Sequence, residues 1–201
     1  MGYYIRVLAT DATPIALGDL LPCLAANSAF ELTVEEGDQT IWSQLVLRHC
    51  SGPEIGVIEK NDVIAGGLGA DEIAEFVDEI SQAQPKSAAL WLAHYLPRVK
   101  TIYAFQLLSG TDVNDEWSAV HALQGSVWGR RGGILQADGE GFSNEDGYSI
   151  LWQFAEPVDG PWNMALLNSA GEWIPFEMNL GNRQQRDAFL EGRVPDGVKL
   201  L

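Results

Sequence analysis

Apolar and polar residues alternate through "YYIRVLAT" (3–10), which is rich in β-formers and predicts a first strand. "TPIALGDLLPCLAANSA" (13–29) follows. Pro14 suits a first helical turn, and Pro22 interrupts the pattern, so the helix is short, kinked or broken. "FELTVEE" (30–36) alternates cleanly, with Phe30, Leu32 and Val34 on one face and Glu31, Thr33 and Glu35 on the other. "TIWSQLVLRHC" (40–50) and "EIGVIEK" (54–60) continue it as a three-strand meander, joined by turns at "GDQ" and "CSGP".

The period then changes. Ile73, Phe76, Val77 and Ile80 form a stripe at helical spacing, predicting a helix over 70–83. Asp71, Glu72, Glu75, Asp78 and Glu79 cover its other face. Acids in its first turn favour the helix by about 0.3–1 kcal/mol each. "KSAALWLAHYLPRV" (86–99) is nearly apolar all round and predicts a buried helix. "KTIYAFQLLSG" (100–110) lacks alternation, as a strand at a sheet centre does.

The order to this point is an embellished β-α-β-β-α-β pattern, the ferredoxin-like arrangement, over 1–110. The 111–201 half predicts a helix within 112–133. An antiparallel meander follows, of four strands at 133–137, 148–154, 162–168 and 172–178. A closing helix at 181–192 and a tail end the chain. The fold class expected is α+β, as two halves meeting near residue 110 or as one continuous domain.

Composition narrows the possible functions. The 201 residues include seven Trp and are 46% hydrophobic, enough for a substantial core. No run of about 18 apolar residues predicts a membrane span. Met1 reads as the start of the folded protein rather than of a secretory signal, and Arg6 argues against myristoylation at Gly2. Cys23 and Cys50 make no C-x-x-C pair and no disulfide framework, so two buried thiols and a cytoplasmic location are expected.

The net charge is −16, and each side of residue 110 carries 14 acids and 6 bases. Nucleic acid is disfavoured as a partner, because phosphates would be repelled over the whole surface. A basic protein would be attracted.

"ADGEGFSNEDG" (137–147) is the densest polar stretch. As a calcium loop starting at Asp138 it matches at Glu140 but fails at Phe142, Ser143 and Ser149. An irregular cation site from Asp138, Glu140, Asn144, Glu145 and Asp146 is the other metal reading. Glu140 with Glu145 or Asp146 would supply paired carboxylates, and Trp128, Trp152 and Trp162 a sugar-stacking wall, for glycoside hydrolysis. The favoured reading is a solvated turn with a contact role, with no metal and no cofactor expected.

His94 reads as a core residue, His121 as a cleft candidate, and His49 as unable to pair with its strand neighbour Cys50. "AGGLGADE" lacks the phosphate-loop glycines and lysine, so Gly69 reads as a helix cap. Arg130 and Arg131 complement a helix C-terminus, or would clamp an anion.

Three readings follow. The first is a non-catalytic, inhibitor-like or immunity-like protein that meets a basic partner through Asp71, Glu72, Glu75, Asp78 and Glu79. The second is a hydrolase or ligand-binding protein with a cleft at Glu140, Asp146, His121 and Arg131. Self-association as a subunit of a larger assembly is a third.

Overall fold

The computed structural model describes residues 3–25, 29–50, 52–108, 114–154 and 157–201. The readings placed on Met1 and Gly2, and the boundary near residue 110, fall outside them.

The protein is α+β. In chain order its elements are β1 (Tyr3–Ala9), α1 (Leu17–Leu24), β2 (Phe30–Gly37), β3 (Trp42–His49), β4 (Glu54–Asp62), α2 (Leu68–Ile80), α3 (Lys86–Tyr95), β5 (Thr101–Leu107), α4 (Asn114–Arg131), β6 (Ile134–Ala137), β7 (Gly141–Ser143), β8 (Pro161–Leu167), β9 (Trp173–Asn179), α5 (Arg183–Leu190) and β10 (Lys199–Leu200). A single 3₁₀ turn, Leu96–Arg98, follows α3.

The chain divides into two compact units. The first comprises Met1–Asp71 and Val99–Gly133. Its strands stand in the order β2-β3-β4-β5-β1, and every neighbour pair is antiparallel. The element sequence is the expected one, but the ferredoxin-like arrangement is not what the strand order forms. β4 turns back along β3 and occupies its free edge, so β5 pairs with β4 on one side and β1 on the other. That position explains the missing alternation of β5, in which Thr101 to Phe105 are all buried. The helix α4 packs on α1, β1 and β5, with Val120, Leu123 and Val127 buried along one stripe.

Gly69 is not a cap. It lies inside α2, and a Cβ there would come within 2.9 Å of the Asp62 carbonyl oxygen, so the close approach of β4's end requires the glycine.

The second unit comprises Glu72–Arg98 and Ile134–Leu201. β8 and β9 form the predicted hairpin, closed by the Asn168 side chain, which accepts from Ala170 N and Glu172 N. β10, read from sequence as a tail, adds to β9.

The predicted four-strand meander is replaced by two hairpins, β6–β7 and β8–β9. Residues 148–154 are not a strand. Only Ser149 bridges, to Ser143 and Met164, and Ile150 and Leu151 are both fully buried, so the apparent alternation does not describe two faces. The core of this unit gathers Phe154, Met164, Leu166, Phe176, Met178, Leu180 and Phe189.

Two helix readings also change. α3 buries only Ala88, Ala89, Leu92 and Tyr95, while Leu90 is 63% exposed and His94 is exposed rather than in the core. In α2 the buried stripe is Ile73, Phe76 and Ile80, and Val77 lies outside it.

Candidate functional site

The most distinctive chemical pair in the first unit joins residues 67 apart in sequence. His49 ends β3, directly opposite Phe30 of β2, and its ring packs on that phenyl at 4.6 Å. Its Nε2 lies 3.1 Å from Oε1 of Glu116, in the first turn of α4. The Glu116 residue is 6% exposed, and its Oε2 is buried without a hydrogen-bond partner. A carboxylate at a helix N-terminus is favoured by the helix dipole, but burial makes each unpaired oxygen costly. Cys50 follows β3 in a turn, so strand alternation does not govern the His49–Cys50 pair, and nothing in local spacing points to Glu116. Cys50 is exposed and Cys23 half-buried, not the two buried thiols expected. Burial raises the Cys23 thiol.

His121 is exposed. It stacks on Trp117 at 5.5 Å, and its Nδ1 is 3.3 Å from Gln124 Oε1. Arg131 ends the same helix ten residues on, roughly 15 Å along the axis, so one small cleft does not hold both. Its guanidinium is committed locally. Nη2 donates to the Pro14 carbonyl at 2.6 Å, and Nη1 lies 3.5 Å from Asp11.

Hydrogen bonds from Thr13, side chain first and then backbone, pull the Asp11 carboxyl below its ordinary range. Beside Arg131 stands Tyr103, fully buried, with a hydroxyl that completes no ordinary hydrogen bond. Burial pushes this phenol up, while the guanidinium pulls the other way. Arg130, with Nη2 donating to the Asp19 carbonyl at 2.7 Å, likewise serves the fold.

In the second unit, the polar stretch 137–147 resolves into two turns around β7. Asp138, Gly139 and Glu140 cross from β6 to β7. After β7, the fully buried Asn144 accepts through Oδ1 from Asp146 N and Tyr148 N. Glu145 and Asp146 are exposed and Glu140 is half-buried. Trp152 and Trp162 pack against the core, and Trp162 Nε1 donates to Ser149 Oγ at 2.8 Å. Trp128, in the first unit, donates to the Gly133 carbonyl at 2.8 Å. Among the described residues, no three His, Cys, Asp or Glu side chains are grouped to hold a metal ion, and no helix is long and apolar enough to cross a membrane.

Tyr95, buried against Trp91 with ring centroids 5.0 Å apart, has its phenol pushed up to about 12, first by burial and then by Glu145. The folded chain therefore holds this proton at pH values where the unfolded chain, near pH 10, releases it. The resulting stability is complete below pH 10 and is lost as pH rises toward 12. Denaturant titrations at pH 9 and pH 11 are expected to show a steeper alkaline loss for the wild type than for Tyr95→Phe. Equal slopes would contradict the burial of this hydroxyl.

The five acids of α2 lie on its outward side. Asp71, Glu75, Asp78 and Glu79 are exposed and Glu72 is half-buried, while Glu79 Oε1 accepts from Gln153 Nε2 at 2.5 Å. Leu68, at i−3 from Asp71 and i−4 from Glu72, is 76% exposed on the same side. No known protein family, curated protein or solved structure matches the chain.

Proposed function

We propose that the protein is a non-catalytic binding protein whose α2 meets a basic protein partner, in an inhibitor-like or immunity-like role. The observation that supports this reading is the outward face of α2, where Asp71, Glu75, Asp78 and Glu79 stand in solvent behind the exposed Leu68. A cationic surface with one apolar residue at the end that meets Leu68 would complement it. Such charge pairs steer encounter more than they hold a complex, so association is salt-sensitive. The net charge of −16 extends the same attraction over the whole surface and disfavours nucleic acid. Cytoplasmic residence, with both thiols reduced, belongs to this reading.

The experiment is paired affinity capture from the native source, using the wild type and a variant with Asp71, Glu75, Asp78 and Glu79 changed to Lys. A basic protein retained by the wild type, released between about 50 and 500 mM salt, and not retained by the variant is the expected result. Replacing Asp71, Glu75 or Asp78 changes stability by about 0.5 kcal/mol or less; Glu79 also gives up its bond from Gln153, so lost capture reads as a lost contact when the variant unfolds at the wild-type midpoint. A partner held equally by both proteins would remove α2 from the interface.

A further inference from the structure

β2 stands at the end of its sheet and, among the described residues, has β3 as its one strand neighbour. One hydrogen bond fixes how its backbone groups divide between the two edges. The Cys50 amide donates to the Ala29 carbonyl, one step beyond the Phe30–His49 pair of the β2–β3 register. Hydrogen-bonded and non-hydrogen-bonded pairs alternate in an antiparallel ladder. Glu31 and Thr33 therefore direct N–H and C=O to β3, and Phe30, Leu32 and Val34 direct theirs to the outer edge. None of these outward groups has a hydrogen-bond partner among the described residues. The register is regular from Phe30 to Val34, and a bulge after Val34 ends it. Side chains sort by the same alternation. Phe30 and Leu32 are buried and Val34 is half-buried on one face, and α1, which packs on β2, leaves Leu21 45% exposed. Glu31 points to the other face, and Glu35 follows in the bulge. Both acids are exposed, and neither has an ion pair among the described residues. Arg48, opposite Glu31 in the register, bonds to Glu54 instead at 3.1 Å.

We propose that this edge, independently of α2, receives an extended segment of a protein partner that carries Lys or Arg at alternate positions with apolar residues between them. The segment adds a strand to the sheet, and its backbone pairs with Phe30, Leu32 and Val34. Glu31 and Thr33 then fall in non-hydrogen-bonded pairs, where facing side chains come closest. A cation opposite Glu31 therefore meets a carboxylate with no other ion-pair partner among the described residues. The apolar residues of the segment lie beside Phe30, Leu32 and Val34. A second copy of this chain is the occupant that the charges reject. Antiparallel self-pairing centred on Thr33 would set Glu31 against Glu35, and like charges directly opposite are destabilising. The net charge of −16 adds long-range attraction for a basic segment and repulsion for another copy.

The probe is the capped peptide Val-Lys-Val-Thr-Val-Lys-Val, titrated into the whole protein while its backbone amides are followed by NMR. N-methylation of the Lys and Thr residues leaves donors only along the peptide edge that faces β2. This peptide is expected to slow amide exchange at Phe30, Leu32 and Val34 by about tenfold or more, and to leave α2 unchanged. Its isomer, methylated on the valines instead, keeps charge and composition but loses the pairing edge, and is expected to bind about tenfold more weakly or worse. Glu in place of Lys is expected to weaken binding by a similar factor at low salt. Val34→Pro removes one outward N–H and leaves the ladder to β3, so binding should fall roughly fivefold. The two methylated isomers test the wild type itself, so the result does not rest on how that variant folds. Equal binding of the isomers, protection elsewhere than on β2, or no binding at about 1 mM peptide would each overturn the proposal. Slowing of the same three amides by raised protein concentration alone would assign the edge to a second copy and overturn it equally.

Discussion

Gly133→Ala is expected to destabilise the protein by roughly 3–5 kcal/mol, the sum of backbone strain and overpacking. Gly133 has φ +98°, a conformation that L side chains rarely adopt. A Cβ there would fall 2.3 Å from the Leu8 carbonyl oxygen and 3.1 Å from the Ala9 Cα. These are backbone atoms of β1, which is hydrogen-bonded along its length to β5, so they have little freedom to yield. The Gly133 carbonyl also accepts the Trp128 indole N–H, which ties the same point to α4. Gly132 is the control. It too has positive φ, +61°, but a Cβ there meets nothing within 4 Å, so Gly132→Ala incurs only strain of about 1–2 kcal/mol. Urea denaturation of both variants measures the contrast. A Gly133→Ala protein within 1 kcal/mol of Gly132→Ala would show that β1 does not constrain this turn.

His49→Ala is expected to cost about 3 kcal/mol, more than an ordinary partly exposed residue. The substitution removes the one hydrogen-bond partner that Glu116 Oε1 has among the described residues and leaves a carboxylate that is 6% exposed with neither oxygen bonded to them. It also strips the ring that packs on Phe30. Glu116→Gln is different in kind. It keeps an acceptor for His49 and removes the buried charge, so its cost is about 1 kcal/mol or less. The double variant separates packing from charge. His49→Ala combined with Glu116→Gln should recover most of the loss seen in His49→Ala alone, a coupling of about 1–2 kcal/mol in the double-mutant cycle. Additive costs would mean that Glu116 does not depend on His49, and that the imidazole acts only as apolar bulk on Phe30.

Much of the local structure is legible in the sequence. Alternation marked β2, the loss of alternation in β5 marked an interior strand, and the 3.6-residue period marked α2. In each case the signal is which face of an element meets water, and that is written into consecutive residues. The turn between β8 and β9 is also set at short range, by the Asn168 side chain accepting from its own neighbouring backbone. The failures have a common physical cause. Tyr148, Ile150, Trp152 and Phe154 alternate with other residues as a strand would. Yet the backbone of this segment finds partners on several different elements: Ile150 N bonds to Phe142 O and Trp152 N to Gln84 O. Periodicity reports burial, and burial here does not require a ladder.

Candidate chemistry was less legible than the fold. The acidic face of α2 could be read directly, because helix spacing alone sets it. The cleft drawn from His121 and Arg131 rested on residue type, and the structure gives those side chains other work, one stacked on Trp117 and the other on the Pro14 carbonyl. His49 and Glu116 carried no mutual signal, because 67 residues separate them and only the docking of α4 on the sheet brings them to 3.1 Å. By itself, then, the sequence determined most elements, though not β7, β10 or the irregular path of 148–154, together with the acidic side of α2 and the net charge. Tertiary structure alone decided strand order, the glycine at 69 and the partner of each buried polar group. The former depend on solvent exposure of neighbouring residues, and the latter on which distant backbone or side chain arrives when the core closes.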